Sequence, residues 1–133
     1  MVIYRLTDRI PAKIADLTFW LSPLSFEQKV NLMECKKMEG GVEVVDGLKK
    51  ARLAIKYGIK GVDGLTNADG SKYEPAMDSD GTLAWSAVDE ISELSCLSPV
   101  IHACLSLMGR FNEIKLEGVE FDLKGVKNVQ KKD

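Results

Sequence analysis

One histidine, His102, is all the imidazole this chain carries, and no Cys-x-x-Cys pair, Gly-x-Gly-x-x-Gly loop, Walker loop or Gly-x-Ser-x-Gly elbow occurs in it. Those absences remove sequence support for zinc modules, for dinucleotide and nucleoside-triphosphate sites and for the usual serine hydrolases. Charge of one sign is also missing. The formal net charge is −2 with an isoelectric point near 5.5, so no global positive field draws nucleic acid or anionic lipid. Long hydrophobic runs are lacking too: the longest uncharged stretch, residues 94–109, is sixteen residues broken by Pro99 and serines, too short and polar to span a bilayer. Near the start, Arg5, Asp8, Arg9, Lys13 and Asp16 interrupt every possible signal-peptide core. Cysteines are three, Cys35, Cys96 and Cys104, an odd number that reads as buried thiols in a reducing, cytoplasmic setting.

What is present has the size and balance of one domain: 133 residues, 45% hydrophobic and 29% charged. The expected fold class is α+β: an N-terminal strand pair or hairpin, then a compact four-helix domain with a glycine-rich turn insert. Residues 1–123 form that domain and residues 124–133 a polar, frayed tail. Alternation over residues 2–6 and again over 12–21, after a break at 8–11, supplies the strands. Ser25 and Gln28 make a capping box for a first helix that carries Phe26, Val30 and Met33 inward and ends near Gly40 and Gly41. The second helix starts between Val42 and Asp46 and runs to Tyr57, burying Val44, Leu48, Ala51 and Ile55, with Gly58 as its cap. Residues 59–81 lose the helical period and read as an insert, with a short hairpin across residues 67–70. Thr82 caps a third helix with Leu83, Ala87, Val88, Ile91 and Leu94 inward. Ser98 and Pro99 open a fourth, with Val100, Cys104, Leu107, Met108 and Phe111 inward.

Chemistry-bearing constellations are few. Ser98, His102 and Ser106 share helical spacing, but triad partners usually converge from distant sequence, and a polar helix face accounts for the set. Asp69-Gly70 and Asp78-x-Asp80-Gly81 resemble the start of an EF-hand loop, yet neither frame carries the first acidic ligand or the closing glutamate. No catalytic, cofactor or metal-ligating residue is assigned, and the expectation is a non-enzymatic protein without a cofactor; only a weak cation site at Asp78 and Asp80 stays open. Charge, by contrast, is segregated. Eight basic residues against four acidic occupy residues 29–60, and one basic against eight acidic occupy residues 63–93. Lys49, Arg52 and Lys56 form a basic stripe opposite the apolar side of the second helix, with no interleaved aromatics to stack on bases. With Trp20 and Trp85 they are the candidate partner-binding residues. Opposed blocks also permit self-association.

The segment Phe19-Trp-Leu-Ser-Pro-Leu-Ser25, the later Ala54-Ile-Lys-Tyr-Gly-Ile-Lys-Gly-Val-Asp-Gly-Leu65, the Asp69-Gly70 turn and Val88-Asp-Glu-Ile91 together resemble proteins of bacteriophage tail morphogenesis, of the tail assembly chaperone type. The likeness spans residues 17–94 and lies in element order and turn placement. It implies a non-enzymatic role in the host cytoplasm: keeping the tape-measure protein soluble and bringing it to tail-tube subunits. It implies protein partners, no nucleic acid, no membrane and a possible homo-oligomer, and it transfers no site residue. Two other readings stand beside it: a structural virion component, either a head–tail joining or a tail-completion protein, and a small hydrolase built around His102.

Overall fold

The computed structural model describes residues 3–94, 120–121 and 125–128. Strands β1 (Asp8–Ile14) and β2 (Leu17–Leu21) pair antiparallel with Ile14 opposite Leu17, so the loop between them is Ala15 and Asp16 alone. The continuous alternation expected over residues 12–21 is therefore a hairpin. Residues 3–6, the described part of the strand expected over 2–6, form no strand, and the chain enters a turn in which the Arg5 amide donates to the Asp8 carboxylate and the Asp8 amide to the Arg5 carbonyl. A short acidic side chain bonding local backbone competes with the ladder, and here it wins.

Two-residue closure makes Ile14 and Leu17 a hydrogen-bonded pair, so Ile10, Ala12 and Ile14 bond to β2 while Arg9, Pro11 and Lys13 turn their main-chain groups outward. Outward of β1 lie β6 (Glu120–Phe121), paired at Ala12 and Lys13, and β7 (Lys127–Asn128), paired at Asp8 and Arg9. Pro11, which has no N–H, sits in the gap between those two pairings, where a central strand tolerates it. Lys127 and Asn128, read from sequence as part of a polar tail, are thus strand residues. On the other side β5 (Ile59–Asp63) pairs with β2, giving the order β5-β2-β1-β6. Its register shifts between Trp20 and Leu21, leaving Lys60 as the extra residue of a bulge. Sequence reading placed β5 inside a turn insert, because Gly61 and Gly64 hide its alternation.

Three helices, not four, accompany this sheet among the described residues, together with a separate two-stranded sheet. The four-helix domain expected from the sequence is corrected accordingly. The proposed helix from Pro99, with Val100, Cys104, Leu107, Met108 and Phe111, lies outside the described residues, as do Cys96, Ser98, His102 and Ser106. Helix α1 (Phe26–Met33) has the expected capping box: the Gln28 amide donates to Ser25 Oγ at 3.2 Å and the Ser25 amide to Gln28 Oε1 at 3.0 Å. It ends seven residues early because Gly40 (φ 56°) and Gly41 (φ 81°) form a type I′ turn between strands β3 (Lys36–Glu39) and β4 (Val42–Val45). Its inward residue is Leu32, while Phe26 is 81% exposed and Met33 is exposed, the reverse of the expected face.

Asp46 then caps helix α2 (Gly47–Gly58) by accepting from the Lys49 amide at 3.1 Å. Its buried face is Ala54, Ile55 and Gly58. Of the expected stripe only Ile55 is buried; Val44 belongs to β4 and Leu48 is exposed. Helix α3 (Trp85–Ser92) starts after Ala84 without a side-chain cap, Thr82 being taken by Asp80. Its inward residues Ala87, Val88 and Ile91, with Leu83 before it, are fully buried as the period predicts, and Leu94 packs against them. One core joins Ile10, Ala12, Phe19, Leu21, Ile59 and Val62 of the sheet to Leu24, Leu32, Ala54, Ile55 and the α3 residues. Each large apolar side chain buried there contributes about 1.5–3 kcal/mol. No helix among the described residues is long and apolar enough to cross a membrane.

Candidate functional site: the groove between α2 and α3

Residues 67–71 and 78–82 share one hydrogen-bond pattern. In each, the fourth residue's amide donates to the first carbonyl (Gly70 to Asn67, Gly81 to Asp78) and the first amide donates to the fifth carbonyl. The aspartate at the third position accepts from the fifth residue's amide and hydroxyl, Asp69 from Ser71 and Asp80 from Thr82. Those bonds hold both carboxyls below the usual carboxylate range. Asp-Gly here makes turns, with Gly70 and Gly81 at positive φ. Among the described residues no group of three or more His, Cys, Asp or Glu could hold a metal ion. Asp78 is committed elsewhere.

That commitment builds the site. Lys56, on the last turn of α2, is only 8% exposed; its ammonium lies 2.7 Å from Asp78 Oδ2 and donates also to the Leu83 carbonyl, while the Leu83 amide returns a bond to the Lys56 carbonyl at 3.1 Å. The second turn is thereby pinned to α2, and Trp85, two residues after Leu83, is delivered against the same helix. Its ring centroid lies 5.0 Å from Lys56 Nζ and 4.7 Å from Arg52 Cζ, so two cations flank one indole. Arg52 continues to Asp89 on α3 at 2.8 Å. Between the helix starts this leaves a groove of about 330 Å³ lined by Asp46, Leu48, Lys49, Arg52, Leu53 and Trp85. Its apolar walls are open to solvent: Leu48 is 75% and Trp85 43% exposed.

Four of the five candidate residues therefore converge: Lys49, Arg52 and Trp85 line the groove and Lys56 supports it from beneath. The fifth does not. Trp20 lies on the outer face of the sheet, its indole N–H donating to Asp63 at 2.8 Å and Lys127 resting 4.6 Å from its ring. That bond and Lys72, 3.0 Å away, hold the Asp63 carboxyl below its ordinary range. Sequence reading missed Leu48, Asp46 and Leu53. The signal for them was the Glu-Gly-Gly-Val hairpin turn followed by Asp46 three residues before Lys49, which moves the helix start past Val45 and rotates Leu48 outward. The opposed charge blocks also resolve differently from expectation. Lys56 with Asp78 and Arg52 with Asp89 join the basic block to the acidic one within the fold, and among the described residues Lys49 beside the groove has no such partner.

Cys35 is a buried free thiol directed at the Asn31 carbonyl, after α1 rather than in a helix. Lys60, half-buried in the bulge and bonded to the Gly81 carbonyl at 2.9 Å, has its pKa lowered to about 8 by desolvation and by the nearby Arg9 and Lys56 charges, against the pull of Asp80. Comparison with protein-family models, curated proteins and solved structures returns no match for this chain.

Proposed function

We propose that this protein is a non-enzymatic assembly factor of the bacteriophage tail type, acting in the host cytoplasm, and that the α2–α3 groove holds an amphipathic helical segment of its partner. The observation that carries the reading is the groove itself: Leu48 and Trp85 present apolar surface to solvent, rimmed by Lys49 and Arg52. An apolar helix stripe lies on Leu48, Leu53 and Trp85, and a carboxylate at its edge meets Lys49 and the Arg52 guanidinium. Tape-measure proteins are long and helical, and the resemblance in element order supports choosing one as the partner.

The test is co-expression with phage tape-measure and tail-tube proteins. The tape-measure protein stays soluble and is recovered with the wild type. Trp85→Ala, which removes an indole from a groove without disturbing the buried core, weakens that binding by about 30-fold, the loss of roughly 2 kcal/mol expected of a central aromatic anchor. Recovery of neither protein overturns the proposal. Mass spectrometry of purified particles distinguishes an assembly factor, which is absent from them, from a joining or completion subunit, which is present.

A further inference from the structure

Seven of the eight strand residues of the β3–β4 hairpin are exposed. Met38, Val42 and Val45 are each more than 60% exposed, and only Val44 is half-buried. A two-stranded hairpin is marginal in water on its own; three or more strands with apolar side chains to share are needed for independent stability. Both outer edges are free of strand partners among the described residues.

Backbone phase decides what those edges can accept. The I′ turn makes Glu39 and Val42 a hydrogen-bonded pair, Lys37 with Val44 follows, and the Asp46 amide donating to the Cys35 carbonyl at 2.9 Å continues the alternation. Lys36 and Met38 therefore direct their N–H and C=O groups outward from β3, as Glu43 and Val45 do from β4. In an antiparallel pair outward residues must face outward residues, so two copies of β3 have three centres available. Lys36 opposite Met38 sets Lys37 against Lys37, and Lys36 opposite Lys36 joins like charges directly. With Met38 opposite Met38, however, Lys37 faces Glu39 of the second copy and Glu39 faces its Lys37, both in the closer, non-hydrogen-bonded positions. Gly40, without a side chain, then falls opposite Lys36. No centre on β4 brings opposite charges together.

We propose that this protein self-associates through the β3 edge, two copies pairing antiparallel about Met38 to form a four-stranded β4-β3-β3-β4 sheet held by two reciprocal Lys37–Glu39 pairs. This surface is separate from the α2–α3 groove and does not depend on the partner proposed for it. The sheet supplies each hairpin with the third and fourth strands it lacks, and it places the Val42 and Val44 rows of both copies on one face.

Sedimentation velocity on the full chain tests the pairing. The wild type is a concentration-dependent dimer. Lys37→Glu sets two carboxylates against each other at both reciprocal positions, and Glu39→Lys sets two ammonium groups there. Each substitution weakens dimerisation by about tenfold or more while leaving the circular dichroism unchanged. Mixing the two variants restores a dimer in which one reciprocal position joins two introduced charges of opposite sign and the other joins the two native ones. Rescue between separate chains cannot come from the exposed Lys37–Glu39 ion pair within one strand. A wild type that stays monomeric up to its solubility limit, a single variant that dimerises like the wild type, or a mixture that stays monomeric each overturns the proposal.

Discussion

Replacing Lys56 by methionine keeps the length of the side chain and removes its charge, and the effect can be worked out from its surroundings. Two charge-assisted bonds disappear, to Asp78 and to the Leu83 carbonyl, each worth about 1.5–3 kcal/mol. Two terms oppose that loss. An ammonium held at 8% exposure carries a desolvation cost that methionine does not, and Asp78, whose side chain is 45% exposed, turns to water when its partner goes. The Leu83 carbonyl has no such recourse, since Leu83 is fully buried. The net expectation for Lys56→Met is a destabilisation of about 2 kcal/mol, or a fall in Tm of roughly 6–10 °C for a domain of this size. Urea unfolding followed by circular dichroism and by tryptophan fluorescence measures it, the two probes superposing if unfolding is two-state. Asp78→Asn costs about 1 kcal/mol, and the double variant costs less than the sum by about 1 kcal/mol, the signature of one shared interaction. A Lys56→Met protein within about 0.5 kcal/mol of the wild type, with an additive double variant, refutes the view that this lysine fastens the second turn and positions Trp85.

Two further perturbations separate local causes. At Gly64 (φ 104°) an added Cβ would lie 2.5 Å from the Asp16 carbonyl oxygen and 3.1 Å from Leu17, so Gly64→Ala costs about 3 kcal/mol or more, whereas Gly70→Ala and Gly81→Ala, with open space at positive φ, cost only about 1 kcal/mol in urea titrations. Equal losses at all three positions would contradict the close approach of β5 to the β1–β2 turn. For Lys60 the sign follows from its lowered pKa: the folded state releases the proton near pH 8 and the unfolded state near 10.5, so stability rises with pH across that window. The gain is about 1–2 kcal/mol after discounting for partial exposure. Lys60→Met flattens the rise, and a slope unchanged by the substitution would show that another group causes it.

Legibility in the sequence followed the range of the interaction. The Ser25–Gln28 capping box, the inward face of α3 and the Asp-Gly turns depend on residues within four positions of one another, and all were readable. The hairpin at residues 36–45 was not, because Val44 and Leu48 also fit a helical stripe; two glycines in the left-handed region decided against it. Strand β5 was hidden by Gly61 and by a bulge that breaks its alternation at Lys60. Of the site, the cations and Trp85 were visible as a stripe and a lone indole. Their meeting was not, since it depends on Lys56 reaching across to a turn some twenty residues later. The same long-range pairing converted a segregated charge pattern into internal ion pairs.

Placement of β1 between β2 and the later strands also sets an order in time. Its first neighbour follows after two residues, but Asn128, which bonds Thr7 and Asp8, is made 120 residues later. At ribosomal speeds of about 5–20 residues per second, the outer edge of β1 waits roughly 5–20 s after β2 has emerged. A nascent strand with an open ladder is a template for the wrong chain. Pro11 faces that edge without an N–H to offer, so the residue that fits the gap between β6 and β7 in the finished fold also withholds a bonding position from competing strands while the sheet is incomplete.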